Sequence, residues 1–96
     1  MDVADDGKLR ARVTICNRKG LHARASAKFV KCAEGFDATV RVIRDRHTVG
    51  GTSIMSLMSL AAGPGTSITI EASGSQAAEV VDALAALVSG RFTEDE

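Results

Sequence analysis

The chain of 96 residues contains no tryptophan and no tyrosine, and it has only three phenylalanines. It therefore lacks the aromatic platforms on which proteins stack single-stranded bases. Twelve basic and twelve acidic side chains give a formal net charge of zero, so there is no broad field that would draw the chain to nucleic acid or to anionic lipid. We expect no nucleic-acid partner and no membrane partner, and any partner must be recognised locally.

Cysteines and long apolar segments are equally scarce. Cys16 and Cys32 form no CxxC pair, so neither a disulfide framework nor a metal site is indicated, and no cofactor is expected. No segment approaches the ~18 apolar residues of a membrane span, and the first eight residues lack the apolar core of a signal peptide. These features predict a cytoplasmic protein with two buried free thiols.

Hydrophobic periodicity predicts four strands and three helices. Apolar and polar residues alternate in four segments: 11–16, 38–44, 46–49 and 66–72. The alternation is weak in 46–49, which a tight hairpin joins to the segment before it. Helical spacing predicts a helix from Ala23 to a left-handed stop at Gly35, a short helix within 53–62, and a longer one that ends at Gly90.

The order of these elements, βαββαβα, predicts an α+β fold. Strands with one polar face can be covered only on the other face, so we expect a four-stranded antiparallel sheet with all three helices on one side. Residues 9–90 are expected to form this domain. Residues 1–8 are expected to be a flexible tail and residues 91–96 an acidic tail, in which Phe92 has little to bury.

The segment NRKGLHARASAKF, residues 17–29, places a histidine where a loop becomes a helix. If the helix begins at Ala23, His22 is its N-cap, and the unpaired amides of Ala23, Arg24 and Ala25 lie at the positive end of the helix dipole, which favours an anion. The guanidinium of Arg24 can also bind phosphate oxygens. A neutral imidazole in this position has a ring nitrogen that can accept a phosphoryl group. From these residues alone, the alternative is that His22 is an ordinary polar helix cap.

Two motifs make the chain resemble a known family. GLHAR (Gly20–Arg24) follows the first strand, and SIMSLMSL (Ser53–Leu60) comes about thirty residues later. At this spacing they resemble HPr, the histidine-containing phosphocarrier family of the bacterial phosphoenolpyruvate-dependent phosphotransferase system, over about residues 9–90. The resemblance implies an open-faced β-sandwich and a monomeric carrier that is not itself an enzyme.

The same resemblance implies the chemistry of the site. His22 would take a phosphoryl group on Nδ1 from phosphorylated enzyme I and pass it to an enzyme IIA domain, with Arg24 as a phosphate ligand. Ala25 departs from the family's pattern because proline usually follows the arginine. This change loses a φ restraint in the first helical turn but keeps an amide that can face the phosphate, so its net effect is left open.

The second motif has more apolar residues than one helix face can bury. Two stripes result: Leu57, Leu60 and Ala61 form one, and Ile54, Met55 and Met58 form the other. We expect the second stripe to be exposed. In HPr-like proteins this surface contacts enzyme I and enzyme IIA; the alternative is that some of the three side chains fill the core.

Ser53 matches the serine that HPr kinase/phosphorylase modifies in a subset of bacteria. A phosphate there adds about −1.5 to −2 charges at the rim of the exposed stripe, which should weaken partner binding. The alternative is that Ser53 only caps the short helix. Thr52 replaces the lysine that often precedes this serine, which leaves the modification open.

The remaining polar residues are expected to have ordinary roles. Asn17 and Arg18 precede the Gly20 turn and are expected to hold that loop over His22. The other histidine and four basic residues are expected to lie on solvated faces: His47, Lys28, Lys31, Arg41 and Arg44.

Two other functions remain as alternatives. In the first, the chain is a regulatory adaptor of a nitrogen-type phosphotransfer branch, whose phosphorylation state controls binding to non-transport targets. In the second, it is a small phosphatase resembling acylphosphatases, which the absence of a glycine-rich phosphate loop disfavours.

Overall fold

The computed structural model describes residues 2–3 and 7–94. Five strands form one antiparallel sheet in the order β1-β2-β5-β3-β4: β1 (Asp2–Val3), β2 (Leu9–Thr14), β3 (Thr39–Arg44), β4 (His47–Gly50) and β5 (Ser67–Ser73). Three helices and one short turn complete the described elements: α1 (Ala23–Glu34), α2 (Ile54–Ser59), α3 (Ala77–Ser89) and the turn Arg91–Thr93. The predicted α+β fold is confirmed.

The sheet has one strand more than the four predicted. Asp2 and Val3 pair with Arg10 and Leu9 at the edge of β2, so this part of the N-terminal segment belongs to the sheet. The remaining residues of the predicted N-terminal tail, except Gly7 and Lys8, lie outside the described residues.

The strand register explains the alternation of the sequence. β5 lies between β2 and β3, with Ile70 opposite Ala11 on one side and opposite Val42 on the other. Side chains alternate along a strand, so these three point to the same face of the sheet. Val42 and Ile70 are fully buried on that face, whereas Arg12 and Thr14 are exposed on the other.

Helices α1 and α3 bury the apolar stripes that their spacing predicts, except that Leu87 of α3 is only half-buried. The buried residues of α1 include Ser26, Phe29, Val30 and Ala33, and those of α3 include Val80, Val81, Leu84 and Val88. Full burial of a side chain such as Phe29 stabilises the fold by about 1.5–3 kcal/mol. The core therefore lies between the helices and one face of the sheet.

Gly35 ends α1, but the predicted left-handed stop is wrong. Its φ of −77° and ψ of −1° are right-handed. The amide of Gly35 donates back to the carbonyl oxygens of Cys32 and Ala33, so the last turn tightens without the φ inversion that glycine allows.

The predicted buried stripe of α2 is one residue too long. Leu57 and Leu60 are buried, but Ala61 is exposed and has a φ of +52°. The helix has already ended there. Arg44, expected to be solvated, donates from Nη1 to the carbonyl oxygens of Leu60 (2.7 Å) and Ala61 (3.1 Å). Its guanidinium satisfies the carbonyl groups that a helix end leaves unpaired.

The expectation that Phe92 has little to bury is wrong. Its side chain is 0% exposed and belongs to the core. Arg91, Phe92 and Thr93 have φ values of 58°, 55° and 58°, a left-handed conformation that costs about 1–2 kcal/mol per residue. Burial of the phenyl ring offsets part of this cost, and the turn directs Glu94 back towards the loop before α1.

No helix among residues 2–3 and 7–94 combines the length and the apolar character needed to cross a membrane. Within the same ranges, no three His, Cys, Asp or Glu side chains come together as metal ligands. Both cysteines are free, but the prediction that they are buried is wrong, because Cys16 is exposed and Cys32 is only half-buried.

Candidate functional site

The loop before α1 is held by a glycine turn and a buried asparagine. Gly20 has a φ of +65°, and a Cβ there would lie 2.4 Å from the carbonyl oxygen of Ala62. The next amide, that of Leu21, donates to the same oxygen at 2.9 Å. Asn17 is 0% exposed and donates from Nδ2 to the Gly20 carbonyl oxygen at 2.8 Å. The prediction that Asn17 holds the loop is confirmed.

His22 is the N-cap of α1, as predicted. Its backbone is extended (φ −75°, ψ −179°), and its side chain makes no capping hydrogen bond. Ser26 donates the first helical hydrogen bond to the His22 carbonyl oxygen at 2.8 Å, so the amides of Ala23, Arg24 and Ala25 precede the helical ladder. No acidic residue occupies the first turn, and the positive end of the helix dipole is not neutralised from within the helix.

Arg24 is exposed, and the described residues give it neither a hydrogen bond nor an ion pair. Its guanidinium is therefore available to a ligand. Ala25 is fully buried, so its methyl group packs into the core at the position where the family usually has proline.

An open pocket of about 220 Å³ lies beside the imidazole. One wall is formed by Lys19, Leu21 and His22, and the other by the backbone segment Ala61–Gly63 that follows α2. The loop before α1 and the end of α2 thus meet at His22. The basic side chain of Lys19, which the motif analysis did not single out, adds positive charge at this wall.

Glu94 is the residue of the site that sequence reasoning missed. Its Oε2 lies 3.0 Å from Nε2 of His22, and its Oε1 accepts a hydrogen bond from Nδ2 of Asn17 at 2.7 Å. The carboxylate thus bridges the imidazole and the asparagine that orders the loop. The apolar Phe92 was a signal that this polar segment contacts the core, because phenylalanine is among the residues most often fully buried. It did not indicate that Glu94 reaches His22.

Charges and hydrogen bonds at this bridge favour an ionised Glu94. Desolvation alone opposes ionisation, but hydrogen bonds from Asn17 and His22, together with the charges of His22 and Lys28, outweigh it and lower the pKa of Glu94 below that of an ordinary glutamate. At neutral pH the imidazole therefore faces a carboxylate.

The segment that carries Glu94 is fastened to α1. Lys28 donates from Nζ to the carbonyl oxygen of Phe92 at 2.6 Å and to Oγ1 of Thr93 at 3.1 Å. The prediction that Lys28 lies on a solvated face is wrong, because its ammonium binds the last turn of the described chain. The burial of Phe92 and the hydrogen bonds from Lys28 together fix the position of Glu94.

Helix α2 exposes the apolar stripe that was predicted to be outside the core. Ile54, Met55 and Met58 are 38%, 76% and 39% exposed, and together they form the α2 patch. Ser53 is the N-cap of α2, and its Oγ accepts a hydrogen bond from the amide of Ser56 at 3.2 Å. The capping interpretation of Ser53 is therefore confirmed as a local role.

The structure places the start of α1 beside the end of α2. His22 with the amides of the first turn of α1 lies beside the segment in which α2 ends, and the α2 patch belongs to that helix. His47 is exposed in β4, as expected.

Sequence and structure comparisons agree on a single family. Residues 9–90 match the family model described as "PTS HPr component phosphorylation site". The chain is 46% identical over 88 residues to the phosphocarrier protein HPr of Cupriavidus necator, covering 92% of this chain and 99% of that one. It is 39% identical over 87 residues to the phosphocarrier protein NPr of Shewanella violacea, covering 91% and 96%.

Solved structures give the same result. The crystal structure of HPr-C-His from Thermoanaerobacter tengcongensis matches with a TM-score of 0.87 at 34% sequence identity, covering 92% of this chain and 99% of that one.

Proposed function

The chain belongs to the HPr family of phosphocarriers of the phosphotransferase system, and we propose that His22 is the residue that carries the phosphoryl group. The observation that supports this most directly is the position of its imidazole, which is 25% exposed at the start of α1, where the first helical turn holds no acidic residue. A transferred phosphoryl group would lie where the helix dipole and Arg24 compensate its charge.

The orientation of the ring favours Nδ1 as the attacking atom. Nε2 faces the Glu94 carboxylate at 3.0 Å, and Nδ1 has no hydrogen-bond partner among the described residues. The Nδ1 lone pair forms a bond to phosphorus while the bond between phosphorus and the phosphorylated enzyme I breaks, and its electron pair stays with enzyme I. The amides of Ala23 and Ala25, with Arg24, stabilise the charge on the equatorial oxygens.

Phosphorylation by enzyme I tests this assignment. With enzyme I and phosphoenolpyruvate, the chain should gain one acid-labile phosphate, and His22→Ala should abolish it. His47→Ala is the matched control, because His47 is the second histidine and lies exposed in β4. Label that persists on the His22 variant, or that disappears with the His47 variant, would contradict the proposal.

The α2 patch is the proposed docking surface for enzyme I and for enzyme IIA. An exposed patch of one isoleucine and two methionines is adaptable, because methionine is flexible and polarisable, and this suits a carrier that binds different partners in turn. The end of α2 also forms a wall of the pocket beside His22, so a partner seated on α2 has its own reactive group close to the imidazole.

Replacement of the most exposed residue of the patch tests the docking surface. Met55→Ala should raise the KM of enzyme I for the carrier several-fold with little change in kcat, because truncating one of the few residues that carry most of the binding energy of an interface costs more than about 1 kcal/mol. Val3→Ala is the control, since Val3 is similarly exposed, at 71% against 76%, but lies on the edge strand β1. Equal KM values for the two variants would argue against docking through α2.

Ser53 is proposed as a site of regulatory phosphorylation in bacteria that have HPr kinase/phosphorylase. Its hydroxyl caps α2 directly before Ile54, so a phosphate there would place charge at the rim of the patch. With kinase and ATP, label should appear on the wild type and on Thr52→Ala but not on Ser53→Ala. Label that depends on Thr52 would assign the modification to the neighbouring hydroxyl.

The alternative of a regulatory adaptor is favoured by one observation, the similarity to an NPr as well as to HPr proteins. Phosphotransfer from the His22 phospho-form to a sugar-type and to a nitrogen-type enzyme IIA distinguishes the branches by rate. Phosphoryl transfer from a cytoplasmic enzyme I would place the chain in the cytoplasm, and we propose that it acts there as a monomer. A small phosphatase predicts repeated turnover of an acyl phosphate by the chain alone, and the match to a phosphocarrier family gives that alternative no support.

A further inference from the structure

The turn Arg91–Thr93 delivers one carboxylate to the side of the imidazole opposite the expected reacting nitrogen. Oε2 of Glu94 lies 3.0 Å from Nε2 of His22, and its Oε1 is held at 2.7 Å by Nδ2 of Asn17. Both contacts are within ordinary hydrogen-bond distance. A carboxylate can only accept, so the short contact to Nε2 requires that this nitrogen carries the proton.

We propose that Glu94 is a positioning residue for phosphoryl transfer, which holds His22 in the tautomer with the proton on Nε2 and the lone pair on Nδ1. This inference rests on the proposed function of His22 and deepens it. In a neutral imidazole free in water the proton exchanges between both nitrogens, and the molecules with the proton on Nδ1 cannot attack. Glu94 removes that unproductive form by accepting the hydrogen bond at the other end of the ring.

Glu94 also balances the charge that the transfer step creates. When the Nδ1 lone pair bonds to phosphorus and the bond to the donor breaks, Nε2 keeps its proton and the ring becomes a cation. The start of α1 disfavours a cation because the positive end of the helix dipole lies there. The Glu94 carboxylate faces the ring at Nε2 and stabilises it, and when the phosphoryl group leaves, the electron pair of the broken bond returns to Nδ1.

The turn Arg91–Thr93 is anchored to the rest of the fold, and this anchoring holds Glu94 beside His22. Three consecutive residues adopt left-handed φ values before Glu94, a conformation that persists only where surrounding contacts enforce it. Phe92, 0% exposed, and Lys28, which binds the carbonyl oxygen of Phe92 at 2.6 Å, supply those contacts. Other charges near the ring are those of Lys19 in the pocket wall and Arg24 in the first helical turn; both are cations and cannot accept the Nε2 proton.

The tautomer can be measured without any partner protein. Nitrogen-15 chemical shifts of the unphosphorylated chain should show His22 with Nε2 protonated in the wild type and in Glu94→Gln, whose amide oxygen still accepts. In Glu94→Ala the tautomer with the proton on Nδ1 should become detectably populated, as it is in a neutral imidazole free in water. Glu79→Gln is the control, because Glu79 is exposed at the opposite end of α3 from the turn Arg91–Thr93. An unchanged tautomer in the alanine variant would overturn the proposal.

Kinetics separate the charge of Glu94 from its hydrogen bond. Glu94→Gln should slow phosphorylation by enzyme I about 2- to 5-fold, the range expected for a partly exposed ion pair, mainly in kcat. Glu94→Ala should slow it further, and Glu79→Gln should not slow it. Rates for both Glu94 variants equal to wild type would overturn the proposal. If wild type itself accepts no phosphate on His22, the proposed function fails and the positioning role fails with it, even where the tautomer responds to Glu94→Ala. If wild type is phosphorylated and the tautomer does not respond, the positioning role alone fails.

Discussion

Gly20→Ala is the substitution that most directly tests how the loop holds His22. An alanine at a φ of +65° costs about 1–2 kcal/mol, because its Cβ crowds the following carbonyl group. That Cβ would lie 2.4 Å from the carbonyl oxygen of Ala62 and 2.8 Å from Cα of Gly63, whereas ordinary contact begins near 3.4 Å. Both neighbours are backbone atoms, so the loop must move away from the segment after α2 by about 1 Å.

This movement would break the hydrogen bond from the Leu21 amide to Ala62, worth about 0.5–1.5 kcal/mol. We expect Gly20→Ala to lose roughly 1.5–3.5 kcal/mol of the ~5–15 kcal/mol typical of a domain. Because the chain has no tryptophan, urea denaturation should be followed by far-UV circular dichroism. Phosphorylation by enzyme I should slow as well, since His22 follows this contact by one residue.

Gly63→Ala is the matched control. A Cβ on Gly63 would have no atom within 4 Å, and the φ of Gly63 is not left-handed. The free energy of unfolding of the Gly63→Ala variant should therefore differ from that of wild type by less than about 1 kcal/mol. If the alanine variants at positions 20 and 63 unfold at the same urea concentration, the close approach of the two segments does not hold the loop.

Three further predictions concern the last turn and the thiols. Phe92→Ala should lower the free energy of unfolding, measured by urea denaturation, by about 3–5 kcal/mol. Phe36→Ala should lower it less, because the ring of Phe36 is only half-buried. Equal losses in the two variants would contradict the anchoring role of Phe92. The pKa of Glu94 is lower in the folded chain than that of an ordinary glutamate, so the contacts of its carboxylate stabilise the fold fully at a pH above the ordinary value. This stabilisation is lost as the pH falls through the lowered pKa. NMR signals of Phe92 should follow this change in wild type but not in Glu94→Gln. Iodoacetamide should modify the exposed Cys16 before Cys32, because burial raises the pKa of the Cys32 thiol; mass spectrometry that shows the reverse order would contradict this.

The elements of the fold were predictable because periodicity reports which face of an element is buried. Val40 and Val42 in β3, and Ile68 and Ile70 in β5, are buried as their alternation predicts. The ends of elements were less predictable, because they depend on distant partners. Arg44 binds the end of α2 across 16 positions of sequence, and no local pattern indicates such a contact.

The candidate site was predictable where one segment supplies it. His22 and the first turn of α1 follow from a loop-to-helix boundary that is visible in residues 17–29. Glu94 was not predictable, because it reaches His22 across 72 positions through a left-handed turn of non-glycine residues. Such φ values are rare for these residues, so a polar segment of this kind is normally interpreted as a solvated end.

The guanidinium of Arg44 links two regions that differ in their expected opening rates. It extends from the hairpin at the sheet margin, where β4 has only one neighbouring strand, to the carbonyl oxygens of Leu60 and Ala61, the second of which belongs to the pocket wall. Marginal strands open more often than central ones. Each opening of the hairpin would therefore release the wall segment, and deuterium should enter the Leu21 amide, which is bonded to Ala62 in that wall, at a rate set by the hairpin rather than by α1. The time for which the loop keeps the geometry that accepts a phosphate thus depends on β4, although no residue of β4 lines the pocket beside His22.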